Sequence, residues 1–167
     1  MDPRPVGAQQ NKPQLWRRYS REQIPALFGL RFTTALWNSG FVVQEKRVFL
    51  LVTLDKRGKS QDFQYRDHFL SPDLFQWQSQ NRTRQSDKHG QLIQTHRARA
   101  IPVHLFVRKT SKLPGRGSAP FVYCGDVEFV DWEGEKPITV RWRLSEETPE
   151  RLRTELTSGR GGNPSPP

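Results

Sequence analysis

The sequence predicts a strand-dominated α+β domain, a curved and mostly antiparallel sheet or small β-barrel with two or three short helices. Three observations carry this. Apolar runs rich in Val, Ile, Leu and Phe recur along the 167 residues and far outnumber stretches with helical periodicity. Successive strands lack the long helical crossovers that a parallel sheet requires. At this length the chain is one domain with room for a single sizeable core and no second domain to spare, and no internal repeat is visible.

Taken in order, residues 1–14 are rich in Pro, Gln and Gly with almost nothing to bury, so they are expected to be a disordered tail. Residues 157–167 read the same way, which leaves 15–156 as a single domain. Tyr19-Ser20-Arg21-Glu22-Gln23 places a serine cap three residues before a glutamine, the pattern in which the two side chains satisfy each other's backbone N–H groups. Pro25 interrupts the helix begun there, predicting a short or bent helix that ends near Gly29.

Residues 48–54 are almost continuously apolar, as befits a central strand buried on both faces, and 103–108 have the same character. Ser71-Pro72 reads as the capped start of a short helix that dissolves into Gln78-Ser79-Gln80-Asn81. On such a helical turn Phe75 and Trp77 diverge, so one of them would face the core. Residues 121–130 form a strand with a bulge or bend at Gly125. In 138–144, Ile138, Val140, Trp142 and Leu144 alternate with Thr139, Arg141 and Arg143, giving one core face and one wet, basic face. Gly134 and Pro137 supply a tight connection between these two strands, predicting an antiparallel pair. Thr148-Pro149 then caps a C-terminal helix through about Leu156.

Lys and Arg number 27 against 17 for Asp and Glu, a net charge of +10, which points toward polyanions. Between Gln80 and Arg116 there are nine basic residues and one acid, Asp87, so most of the excess lies in one segment. Folded onto one face, it forms the footprint expected for a phosphate backbone. Spread over a surface, it is a solvated basic loop. The single cysteine, Cys124, precludes an internal disulfide and sits in an apolar run. No apolar run reaches the length of a membrane span and the N-terminus lacks the layout of a signal peptide, so the expectation is a cytoplasmic protein with no membrane partner.

Metal-dependent nucleases hold their ion with clustered carboxylates, usually with a lysine two residues beyond one of them. Pro72-Asp73 matches half of that pattern, but Glu133-Gly134-Glu135-Lys136 places its lysine one and three residues after the acids. His68, His89, His96 and His104 lack metal-binding spacing, and no glycine-rich phosphate loop is present. No catalytic residue, metal or cofactor is therefore assigned, and the chain reads as a non-enzyme.

A binding reading fits better. Phe75 and Trp77 beside Gln78, Ser79, Gln80 and Asn81 suit a flat, hydrogen-bonding ring, since stacking supplies affinity and amides supply direction. Just upstream, Tyr65 adds an aromatic ring and Asp67 a carboxylate that can accept from the exocyclic amine of cytosine. These groups border a possible pocket for a flipped base, with Arg82, Arg84, Lys88, Arg97 and Arg99 on the phosphates either side. The same residues also suit a buried aromatic pair, a core tyrosine and a surface turn.

Several blocks carry a family resemblance: Tyr19-Ser20-Arg21-Glu22, residues 49–56, Tyr65-Arg66-Asp67-His68-Phe69, residues 70–81, Leu105-Phe106-Val107-Arg108 and residues 120–130. Together they resemble an uncharacterised domain found at the C-terminus of restriction-type superfamily 2 helicases that bear a phospholipase-D-like nuclease. The resemblance covers roughly 19–152, matches less well over 30–44, and includes neither helicase nor nuclease motifs. It implies a fold like the SRA and PUA-like β-barrels that read modified cytosine. It further implies a module that recognises methylated or hydroxymethylated cytosine in double-stranded DNA by base flipping, as the targeting part of a restriction or defence system. A separately encoded helicase or nuclease would be its partner. The alternative is a non-catalytic interaction module that binds only the DNA backbone and recruits such a partner.

Overall fold

The computed structural model describes residues 12–55 and 67–157. The expected tails fall largely at 1–11 and 158–167, outside the described residues, as does Tyr65. One mixed sheet runs in the order β2 (Phe41–Gln44), β3 (Arg47–Thr53), β6 (Val103–Arg108), β9 (Phe121–Glu133), β10 (Thr139–Leu144), β5 (Leu74–Gln78) and β4 (His68–Ser71). A two-residue strand β1 (Arg18–Tyr19) adds to β9, and β7 (Lys112–Leu113) with β8 (Gly117–Ser118) forms a separate ribbon. The expected strand-dominated α+β class therefore holds, with a curved sheet that does not close into a barrel.

Pairing is antiparallel throughout this sheet except between β3 and β6, which run parallel from Val48↔Val103 to Thr53↔Arg108. The connection between them is long, and it is not a simple helical crossover. It carries the β4–β5 hairpin to the far side of the sheet and returns through helix α3 (Lys88–Thr95).

The alternation of side chains in the middle strands builds two cores, one on each face. On β3, Val48, Leu50 and Val52 enter one cluster while Phe49 and Leu51 enter the other. On β9, Val122 and Cys124 join the first cluster, and Phe121 and Tyr123 the second. Gly125, at φ +90°, then shifts the register against β6 between Leu105 and Phe106. That one-residue bulge changes parity, so the residue that next faces the first core is Val127 and not Asp126. A second shift, opposite Arg141 and Trp142, restores the original parity, which brings Trp132 back against the first core.

The sheet curls about this first core. Phe41 on β2 stacks on Trp77 of β5 at 5.8 Å between ring centroids, although four strands separate β2 from β5 in the sheet order. Helix α3 contributes Leu92 and Ile93 to the same core, and α4 (Glu150–Thr157) contributes Leu152 and Leu156. The outer core is covered by α1 (Gln23–Leu27) and α2 (Thr34–Trp37), through Ile24 and Trp37.

Most of the expected elements form where the pattern places them. Ser20 Oγ accepts from the Gln23 N–H at 3.1 Å and Gln23 Oε1 accepts from the Ser20 N–H at 2.8 Å, completing the reciprocal cap. Gly29, at φ +73°, ends that helix with Leu30 N–H bonded to Pro25 O and Gly29 N–H to Ala26 O, the paired closure for which glycine is suited. Pro25 is tolerated because it falls in the first turn, where its missing N–H has no helical acceptor. On β10, Val140, Trp142 and Leu144 are buried, while Thr139 and Arg141 are half-buried and Arg143 is exposed. The helix expected after Thr148-Pro149 is α4, but Thr148 Oγ1 is buried without a partner, so this hydroxyl does not cap it.

Three expectations are corrected. Ser71-Pro72 does not open a helix: Pro72 and Asp73 turn the β4–β5 hairpin, and residues 74–78 are strand. Phe75 and Trp77 consequently share one face instead of diverging, and both are buried. The basic segment, for which a solvated loop was one expectation, instead holds a helix, with Lys88-His89-Gly90 as the first turn of α3, which makes four helices among the described residues where two or three were expected.

Candidate functional site

Because β2 and β5 approach across the curl without pairing, they leave an open seam, and a pocket of about 510 Å³ lies in it. One wall is the end of β5 and the chain beyond it: Trp77, Gln78, Ser79, Gln80 and Asn81. Asp67, just before β4, belongs to the same wall. The opposite wall is the α2–β2 loop, Asn38-Ser39-Gly40, together with Phe41. The floor is the end of β3, Leu51 to Thr53, and Arg21 closes one side.

Local structure fixes each wall. Thr33 Oγ1 caps α2 by accepting from Leu36 N–H at 3.3 Å, and Trp37, fully buried, anchors the loop beyond it. Gly40 O accepts from Leu51 N–H at 3.0 Å, and a Cβ at Gly40 would stand 3.3 Å from Leu51 O, so the close approach of the two chains favours glycine there. Ser39 Oγ accepts from Phe41 N–H at 3.2 Å. On the other wall Asp67 Oδ1 accepts from Gln78 N–H at 2.8 Å, and Ser79 Oγ accepts from Ile138 N–H at 2.9 Å. Gln78 Nε2 donates to Thr139 Oγ1 at 2.9 Å. Gln80 Nε2 reaches across the seam to Ser39 Oγ at 3.5 Å, the limit of hydrogen-bond distance.

Of the eight residues expected to form a base pocket, the structure brings six together: Asp67, Trp77, Gln78, Ser79, Gln80 and Asn81. Phe75 is not among them. It is fully buried in the inner core, with its ring centroid 4.9 Å from that of Phe69. Tyr65 lies outside the described residues. Trp77 forms wall rather than a free stacking plate, since Phe41 covers one face, Trp142 meets it edge-on at 6.1 Å, and 5% of its surface remains exposed. Asn38, Ser39 and Arg21, which sequence reasoning left out, complete the site. They lie 28 or more positions from Asp67 and carry no periodic signal, so only the curl of the sheet reveals them.

The expected phosphate residues Arg82, Arg84, Lys88, Arg97 and Arg99 are all exposed. Arg82 and Lys88 line a shallow depression with Thr83 and His89. Thr83 and His89 also border a small cleft beneath Phe41 and Trp77, so this part of the basic segment adjoins the pocket. Arg97 lies beyond the other end of α3, in a separate depression where it is 3.7 Å from Glu128. Arg108, the buried member of the segment, is committed to the fold. The basic segment is thus divided between at least two places.

Two histidines within the basic segment are shifted toward their neutral form. His96 Nδ1 lies 2.9 Å from Ile101 O and Phe129 N–H donates to Nε2 at 3.1 Å, an arrangement that requires the proton on Nδ1. Burial lowers its pKa below the ordinary 6.5. Burial and the neighbouring Lys88 do the same for His89, whose ring lies 4.8 Å from Phe41. No three His, Cys, Asp or Glu side chains converge among the described residues in a way that could hold a metal ion. No helix among them is long and apolar enough to cross a membrane.

Residues 14–156 match the sequence profile of the family described as "Domain of unknown function (DUF3427)". No curated protein matches the chain. A solved structure described as "crystal structure of KRYPTONITE in complex with mCHG DNA and SAH" resembles it with a TM-score of 0.47 at 13% identity, over 83% of this chain and 33% of that one. The chain spans about a third of that protein's length.

Proposed function

The chain belongs to the family of domains of unknown function DUF3427, and we propose that it is a DNA-binding module that admits a flipped, modified cytosine to the seam pocket. The observation that carries this reading is the convergence of Asp67, Trp77, Gln78, Ser79, Gln80 and Asn81 on one concave site, facing Asn38 and Ser39 across the seam. A buried carboxylate, several amides and an aromatic wall make up the chemistry by which a base edge is read once it leaves the stack. Asp67 supplies the acceptor that favours the exocyclic amine of cytosine, and the same carboxylate holds the Gln78 main chain in place. Gln80 and Asn81, exposed at the rim, supply direction. Arg82 and Lys88, adjoining the pocket through Thr83 and His89, hold the phosphates beside the extruded nucleotide.

In this reading the module delivers recognition, and a separately encoded helicase or nuclease of a restriction or defence system acts on the DNA it marks. The second reading, backbone binding without base discrimination, draws on the exposure of all five expected phosphate residues and on the placing of Arg97 beyond the far end of α3.

The test is fluorescence anisotropy with one duplex sequence carrying cytosine, 5-methylcytosine or 5-hydroxymethylcytosine at a single position. Wild type is compared with Gln80→Ala/Asn81→Ala. The expected result is a preference of about tenfold or more for one mark, the scale of a good base-edge contact, lost in the double variant while weak salt-sensitive binding remains. Equal affinity for all three duplexes overturns base reading in favour of the backbone-only module.

A further inference from the structure

Two arginines share one aromatic ring beside the pocket. Arg108 Cζ lies 4.3 Å from the centroid of Phe121 and Arg21 Cζ lies 5.2 Å from it. Phe121 itself is fully buried. Arg108, 8% exposed, donates Nε to Thr53 Oγ1 at 2.8 Å and Nη1 to Ala119 O at 3.0 Å. Arg21, half-buried, donates Nη1 to Trp37 O at 2.8 Å and Ser39 O at 3.2 Å. Of the two, Arg21 reaches the pocket, whereas Arg108 acts from behind through Thr53, itself a pocket residue.

Neither guanidinium forms an ion pair with a carboxylate among the described residues. Glu22, next to Arg21 in the chain, favours its charge without pairing to it. Burial and the proximity of Arg21 lower Arg108 to about 10, and burial lowers Arg21 as well, yet both remain charged at neutral pH. Carbonyl acceptors and the face of Phe121 offset part of the desolvation. The remaining positive charge has no counterion among the described residues, and a partly buried charge in that state is stabilised by whatever anion reaches it.

We propose that Arg21 is the anion contact inside the pocket, backed by Arg108. This rests on the pocket being a nucleotide site. The anion is a group carried by the bound nucleotide, either a phosphodiester oxygen beside the extruded base or a carboxylate on the base itself. Arg21 thereby differs from Arg82 and Lys88, which sit outside the pocket and neutralise phosphates along the duplex.

The test uses the full chain and duplexes altered at one position: a neutral methylphosphonate replacing the phosphate that flanks the target cytosine, or 5-carboxylcytosine replacing 5-methylcytosine. If the anion is the phosphate, methylphosphonate weakens wild-type binding about tenfold and leaves Arg21→Gln unaffected, since that variant has already lost the contact. If the anion is on the base, wild type prefers 5-carboxylcytosine about tenfold and Arg21→Gln loses that preference. Either result supports the proposal.

The two wild-type measurements need no variant, so they stand even if Arg21→Gln disturbs the loop it holds. A wild-type protein indifferent to both alterations overturns the proposal, as does an Arg21→Gln protein that keeps wild-type sensitivity to them. A methylphosphonate effect that depends on Arg21, in a protein that binds cytosine and 5-methylcytosine equally, overturns base reading and leaves the anion contact standing.

Discussion

The middle of the sheet and its seam obey different rules. In β3, in β6 and over the first five residues of β9 the chain is buried on both faces, and adjacent backbones satisfy each other. At the seam β2 and β5 approach without pairing, and the gap is lined by amides, hydroxyls, a carboxylate and an arginine. The middle spends its side chains on stability, and in the proposed function the seam presents side chains to a ligand. The two regions should therefore separate under mutation, stability failing in one and discrimination in the other.

The largest expected effect lies in the middle. Leu50 is fully buried in the inner core, and Leu50→Ala should cost about 2–5 kcal/mol of stability through lost burial and the cavity left behind. Urea unfolding measures this, and a loss below about 1 kcal/mol would show that the core relaxes around the deletion. Gly90 comes next. A Cβ there would lie 2.3 Å from Arg84 O and 2.5 Å from Gln85 O, so Gly90→Ala should cost about 1–3 kcal/mol by overpacking the first turn of α3 against the preceding turn. Because Arg82 and Lys88 flank that turn, the variant should also weaken DNA binding of every duplex alike.

A smaller effect should follow pH. His96 and His89 have pKa values depressed below 6.5, so as pH falls through that range the unfolded chain takes up protons that the folded chain does not. Stability should be fully present above about pH 7 and decline toward pH 5, and His96→Gln should flatten the decline in thermal melts across that range. An unchanged slope would remove His96 as its source. The smallest effect on stability belongs to the seam: Gln80→Ala should fall within about 0.5 kcal/mol of wild type in urea, as for an exposed side chain, while reducing discrimination in binding. A large loss of stability would mean that its contact with Ser39 holds the seam together.

The same contrast explains what could be read from the chain. Strands of the middle are legible because burial on both faces leaves continuous apolar runs, and β10 because Ile138, Val140, Trp142 and Leu144 alternate with polar residues. Gly125 announced its bulge because an interior strand glycine has few other uses. Ser71-Pro72-Asp73 misled because proline suits both the first position of a helix and the second of a turn. The alternation of Leu74-Phe75-Gln76-Trp77-Gln78 marks a strand, and there the period-2 signal outweighs the cap.

The β2–β3 hairpin was hidden because Glu45 and Lys46 turn it at φ +54° and +59°, without the Asn-Gly that such a turn usually displays. Half of the site was legible, because residues 77–81 are contiguous and chemically distinctive. Asn38, Ser39 and Arg21 were not, because their membership depends on tertiary curvature that no local pattern encodes.

The central claim is that a base leaves the duplex and enters the seam. Its most direct test places 2-aminopurine next to the modified cytosine in a duplex and tracks fluorescence as protein is added. Extrusion of the cytosine unstacks its neighbour, so fluorescence should rise with wild type, and the rise should be lost with Gln80→Ala/Asn81→Ala. Saturating binding with no rise for any modification would contradict the account and leave a module that holds DNA only by its backbone.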